Sequence, residues 1–166
     1  MSHKTFIKSY TRRDILKAGA ASAIAVNFLP SRVFGANERL AVAGIGVGGK
    51  GSSDINGAGK IGEVVALCDV DFRRGGGAAK NFPKAKKFTD FREMLDKMGK
   101  EIDACTVSTP DHTHAPAAIR AMRQGIHVYC QKPLTHTVWE ARQMRLEAKK
   151  NNVCTQMGNQ GTSMTG

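Results

Sequence analysis

From Arg39 onward the chain alternates two apolar rhythms. Short apolar runs bounded by turn residues read as buried strands. They are Arg39–Ala43, Glu63–Cys68, a brief one near Lys86–Phe88, Ile102–Ser108, Ile126–Cys130 and Val153–Met157. Helical spacing fills the gaps between them. Asp90 and Glu93 have the spacing of a capping box, after which Phe91, Met94, Leu95 and Met98 share one face and Gly99 stops the helix. Thr113 is the expected N-cap of the next helix, with Ala115, Ala118, Ile119 and Met122 inward and Gly125 at its end. Thr137 and Glu140 make a second capping box and open a helix to about Lys150. The weak member is Phe72–Lys80, where three glycines cost about 1 kcal/mol each against alanine and predict a short or frayed helix. Strands alternating with helices predict an α/β fold, a doubly wound parallel sheet covered on both faces.

Residues 1–36 stand outside this pattern. Thr11-Arg12-Arg13-Asp14-Ile15-Leu16-Lys17 has the form of a twin-arginine export signal, followed by a mildly apolar, alanine-rich stretch from Ala18 to Leu29. That stretch is too short and too weakly apolar for a stable membrane span. The expectation is an exported protein, periplasmic or otherwise extracytoplasmic, with cleavage near Gly35 or Ala36 and no membrane contact afterwards. The alternative is an ordinary amphipathic N-terminal helix. The nucleotide domain is then expected over 37–158, with 159–166 starting a linker.

The junction of the first strand with its helix carries the chemistry. Arg39–Ala43 enters Gly44-Ile45-Gly46-Val47-Gly48-Gly49, which fits G-x-G-x-x-G, and Asp69 ends the second strand twenty residues after Gly49. A dinucleotide needs this order. Gly44 permits a tight turn, Gly46 lets main chain approach a pyrophosphate, and Gly49 lets helix and strand pack closely. The helix N-terminus then offers unpaired N–H groups to phosphate, and Asp69 can take two hydrogen bonds from a ribose. The rival is a P-loop, since Gly44 to Gly49 precedes Lys50, but Gly51 stands where a magnesium-binding Ser or Thr belongs. A plain glycine-rich loop is the other reading.

In open parallel sheets, ligands sit beyond the carboxyl ends of the strands. There this chain places Thr109-Pro110-Asp111-His112-Thr113-His114, then Gln131-Lys132-Pro133, then Gly158-Asn159-Gln160. With the glycine turn, these segments resemble the Gfo/Idh/MocA oxidoreductases over residues 38–166. The resemblance implies an NAD-binding Rossmann domain (NADP not excluded), with Gly44, Gly46, Val47, Gly48 and Gly49 at the pyrophosphate and Asp69 at the adenosine ribose. It implies Thr109, Pro110, Asp111 and His114 near the nicotinamide half, Gln131 beside them, and Asn159 near the nicotinamide. Lys132 would be the lysine of the family's E-K-P motif, usually before a cis proline, contacting substrate hydroxyl and cofactor together during hydride transfer with a sugar or polyol. Gln131 departs from that motif: a neutral amide does not favour a charged Lys132 as glutamate would. The resemblance further implies a second α+β domain, absent from these 166 residues, that shapes the sugar site and often aids homo-oligomer assembly. The same motifs serve NAD-dependent glycosidases, and a non-catalytic NAD-binding module is the other alternative.

Composition narrows the partners. Net charge is +11, but residues 1–36 hold six basic residues and one acid, leaving 19 and 13 in the other 130. These are scattered, with only Lys84, Lys86 and Lys87 clustered and aromatics few, so no nucleic-acid surface is expected. Cys68, Cys105, Cys130 and Cys154 make no C-x-x-C pair and read as buried small apolar residues. His112 and His114 lack a carboxylate or cysteine at ligand spacing, so no metal is expected. A helix-start histidine bonded to main chain fits better. His127 and His136 read as structural, and Trp139 as core.

Overall fold

The computed structural model describes residues 39–162, and the expected leader lies outside them. Six strands form one parallel sheet in the order β3-β2-β1-β4-β5-β6: β1 Leu40–Ile45, β2 Gly62–Cys68, β3 Lys86–Phe88, β4 Ala104–Val107, β5 His127–Gln131 and β6 Thr155–Gly158. Strand order reverses between β1 and β4, the switch point at which doubly wound sheets bind ligands. Five helices connect the strands: α1 Lys50–Ala58, α2 Phe72–Asn81, α3 Phe91–Met98, α4 His114–Met122 and α5 Val138–Lys150.

Two apolar layers flank the sheet. One gathers Ile55 of α1 and Ala78 of α2 with Val47, Val64 and Leu67. The other gathers Met94, Leu95 and Met98 of α3, Ala115, Ala118 and Met122 of α4, and Met144 of α5 against Ala43, Cys105, Val128 and Cys130. Right-handed crossovers dictate this split, because chain direction across the sheet reverses after β3. Beyond α1, the first face is unroofed over β4–β6 among the described residues. A groove of about 630 Å³ lies there, with Thr106, Tyr129 and Gln156 among its walls.

Several local expectations change. The α2 helix is ten residues long rather than frayed. Asp71 caps it by accepting from Arg73 N at 3.0 Å, and Gly75 lets it seat closely, since a β-carbon there would come within 3.0 Å of Val47 Cγ2. Tertiary contact thus outweighs glycine's low propensity. Asp90 caps α3 through Arg92 N at 2.8 Å, but Glu93 turns outward to Lys97, so no capping box closes. Gly99 begins a 3₁₀ turn, Gly99–Glu101, rather than a stop. Thr113 occupies the N-cap position of α4 but spends its hydroxyl on Pro110 O at 2.8 Å. The Thr137–Glu140 box does form.

Trp139 is 66% exposed, because α5 buries a single residue, Met144. Cys154 is exposed while Cys68, Cys105 and Cys130 are buried. Cys154 precedes β6, an edge strand with one neighbour whose first three residues are exposed. Burial pushes the other three thiols up to about 12, with the Asp69 charge adding to the effect at Cys68.

Candidate functional site

The chain leaves β1 at Ile45 and turns at Gly46, whose φ of 77° belongs to glycine. Its N–H donates to Cys68 O at 2.8 Å, tying the turn to the end of β2. Gly49 precedes α1 with φ 51° and nothing within 4 Å of its would-be β-carbon. Its role is therefore conformational and open-faced, not the helix–strand packing expected of it. Packing falls on two other glycines. A β-carbon at Gly44 would meet Val47 Cγ1 at 2.7 Å and Ile55 at 3.2 Å. One at Gly51 would lie 1.8 Å from the Gly46 carbonyl oxygen. Val47 itself is wholly buried in the core rather than facing the cleft.

Asp69 closes the turn from below. Its Oδ2 accepts from Val47 N at 2.8 Å and Gly48 N at 3.0 Å, and its Oδ1 from Asp71 N at 3.0 Å. A carboxylate has about four acceptor sites, so three hold main chain and room remains for one hydroxyl rather than two. Among the described residues no protein acceptor meets the amides of Gly49 and Lys50. Those donors and the α1 N-terminus suit an anion.

A cleft of about 660 Å³ opens at this point, walled by Gly46, Gly48, Gly49 and Asp69 on one side and by Thr109 and Pro110 on the other. Thr109 Oγ1 is buried there without a protein partner. Lys50, Val70, Arg74, Phe91, Ser108 and His112 also line the cleft; of these, Val70, Arg74, Phe91 and Ser108 belong to no motif the sequence offers. Each lies one to a few residues past a strand end, or on the next helix, so strand-end position is the signal that could find them. Arg73 forks onto Asp71 with bonds of 2.8 to 3.1 Å, holding the Asp71 carboxyl below its usual range.

The remaining expected residues lie outside the cleft lining. His114 is buried at the start of α4, Nδ1 2.7 Å from Pro133 O and Nε2 2.7 Å from Thr109 O. It braces two loops rather than facing a ligand. Asp111 accepts from His112 N at 3.0 Å within the 3₁₀ turn Asp111–Thr113. Asn159 is exposed beyond β6, its carbonyl accepting from Thr162 Oγ1 at 2.8 Å. Gln131 is buried at the end of β5, and Lys132 is exposed, followed by a cis Lys132–Pro133 bond. Gln131 donates to Asp54, an acid on α1 that the sequence motifs do not single out. Its one local signal is the i, i+4 pairing with Lys50. No group of three or more His, Cys, Asp or Glu comes together among the described residues.

A glycine turn, an acid at the neighbouring strand end and a cleft at the switch point define a dinucleotide-binding domain of the doubly wound class. The chain belongs to the Gfo/Idh/MocA oxidoreductase family: the model of its NAD-binding Rossmann fold matches residues 39–159. The chain is 32% identical over 117 residues to inositol 2-dehydrogenase of Rubrobacter xylanophilus, covering 66% of this chain and 32% of that protein. It is 34% identical over 92 residues to 1,5-anhydro-D-fructose reductase of Ensifer adhaerens, covering 55% and 27%. Among solved structures, an NAD binding oxidoreductase from Klebsiella pneumoniae superposes with a TM-score of 0.66 at 26% identity, covering 76% of this chain and 36% of that one. GenD2 from gentamicin A biosynthesis, solved in complex with NAD, gives 0.64 at 30%, covering 73% and 34%. The chain spans about a third or less of the length of these curated relatives.

Proposed function

We propose that this chain is the cofactor-holding part of an NAD-dependent oxidoreductase that moves hydride between nicotinamide and a hydroxyl-bearing carbon of a sugar or polyol. The observation that carries it is the three-way tie of Asp69, the glycine turn and the open α1 N-terminus at the mouth of the cleft. Bound NAD would supply the hydride acceptor. The chain's own groups divide the remaining work. Gly49 and Lys50 amides meet the diphosphate, and Asp69 accepts one ribose hydroxyl. Thr109 and Pro110 wall the cleft further along. The Lys132 side chain has no protein partner among the described residues. In its neutral amine form it is free to take the proton of a substrate hydroxyl as hydride leaves, and as ammonium to return that proton in the reverse direction.

Asp69 and Asp71 disfavour a 2′-phosphate and Arg73 is spent on Asp71, which supports NAD over NADP, while Arg74 in the cleft wall weighs the other way. The sugar or polyol substrate follows the names of the relatives. Assembly as a homo-oligomer and export with NAD tightly held belong to the same reading, the export resting on Arg12-Arg13.

Fluorescence titration with NADH and NADPH tests the cofactor, followed by NADH formation over a panel of polyols using the protein with its substrate domain. NADH should bind and NADPH should bind more weakly. Sugar release without NADH accumulation would move the assignment to a glycosidase, and binding without any turnover to a non-catalytic module. Absence of any nucleotide binding would overturn the proposal.

A further inference from the structure

One carboxylate ties together three elements around the cleft. Asp54 lies on α1 with its side chain only 5% exposed. Its Oδ1 accepts from Lys50 Nζ at 2.7 Å. Its Oδ2 accepts from Ser108 Oγ, just past β4, at 2.8 Å and from Gln131 Nε2, at the end of β5, at 3.0 Å. Gln131 is 4% exposed and turns its Oε1 to Lys132 N at 3.1 Å. An unbroken chain of bonds thus runs from Lys50 through Asp54 and Gln131 to the main chain that presents Lys132.

We propose that Asp54 and Gln131 are a matched pair of positioning residues for Lys132, a pair that admits one negative charge and seats it on Asp54. The proposal rests on the reading of the cleft as a cofactor site and of Lys132, outside its lining, as the group that meets substrate. The donor count compels the match. An ionised carboxylate only accepts, whereas the amide donates from one end and accepts at the other. Q131E alone would set a second acceptor against Asp54 Oδ2 with no hydrogen between them. Two carboxylates sharing a site cannot both stay ionised cheaply. D54N alone fails in the opposite sense. Its N–H₂ must face either the Lys50 ammonium or the Gln131 amide. The reversed pair, D54N/Q131E, satisfies every position again. The new amide on α1 donates to the new carboxylate at the end of β5, still accepts from Lys50, and Ser108 turns its hydroxyl to accept. That carboxylate still accepts from Lys132 N. In this chain the carboxylate joined to position 131 is thus that of Asp54, one side chain removed from the Lys132 main chain.

The test is a double-mutant cycle of D54N, Q131E and D54N/Q131E, read by NADH titration and by unfolding temperature without cofactor. At pH 8 each single variant should weaken NADH binding by about tenfold or more, roughly 1.4 kcal/mol per decade. The Q131E loss should shrink toward pH 5, where a shared proton relieves the clash, and D54N/Q131E should return to within about threefold of the parent. The proposal is overturned if the double variant is no better than the worse single one, or if Q131E binds as the parent does at pH 8. Failure of the parent chain to bind NADH would sink the cofactor reading instead. The pair would then stand or fall on whether the double variant restores the unfolding temperature lost by the singles.

Discussion

Two glycines in α1 make opposite predictions from one backbone. At Gly51 a β-carbon would lie 1.8 Å from the Gly46 carbonyl oxygen and 3.1 Å from Ser108 Cβ. Ordinary carbon–oxygen contact is on the order of 3.3 Å, so Gly51→Ala demands a displacement of more than about 1 Å. The obstacle is main chain, in the turn that also holds Gly46 N against Cys68 O. Overpacking of this kind costs about 1–3 kcal/mol, and the rigid neighbour puts the value near the top of that range. Alanine's better helix propensity returns about 1 kcal/mol, leaving a net loss of about 2 kcal/mol. For a domain of this size that is about 6–10 °C in Tm. Six residues on, Gly57 has nothing within 4 Å of its would-be β-carbon. Gly57→Ala should therefore gain up to about 1 kcal/mol, raising Tm by about 3–5 °C. Circular dichroism melts of both variants measure this, and NADH titration of Gly51→Ala should show weakening of about tenfold or more. Equal Tm shifts of the same sign in the two variants would refute the steric argument.

Asp69→Asn leaves an N–H₂ facing either the Val47 and Gly48 amides or the Asp71 amide. It should destabilise by about 1–3 kcal/mol and narrow any preference for NADH over NADPH, as paired titrations would reveal. His114→Ala removes a buried ring whose nitrogens lie 2.7 Å from Thr109 O and Pro133 O, deleting the bond its N–H donates to one of them, and opens a cavity. A loss of about 2–4 kcal/mol is expected in denaturant melts, together with faster amide exchange around both carbonyls. Of the four cysteines, Cys154 alone should react quickly with a thiol reagent in the native protein, and mass spectrometry of the labelled peptides identifies it. The buried thiols, pushed from 9.0 to about 12, bind protons in the fold that the unfolded chain releases above pH 9. Their contribution is thus intact below pH 9 and is lost as pH rises toward 12; a melt series over that range should show falling Tm.

Most of the sheet is legible in the sequence because buried parallel strands announce themselves as apolar runs, and alternation with helices makes them parallel; the strand order, and with it the switch point, comes from the fold. The glycine turn and Asp69 are legible because a diphosphate restricts backbone and spacing over a short stretch of chain. What escapes depends on contacts between distant segments. Asp54 meets Gln131 across 77 residues of sequence, so no window of local pattern joins them. The packing duty expected of Gly49 belongs to Gly44 and Gly51, because the path of α1 past the turn decides which hydrogen has no room. The α2 glycines look like weakness until the nearness of Val47 and Asp69 explains Gly75. A main-chain partner for His114 is foreseeable from its place at a helix start, but its burial between two loops emerges only when β4 and β5 are set side by side.

That histidine has a mechanical consequence. Its ring is wedged between the exit of β4 and the cis-proline corner after β5 like a rivet, with a carbonyl oxygen 2.7 Å from a nitrogen on each side. Displacement of the corner carrying Lys132 is therefore passed to Thr109, on one wall of the cleft.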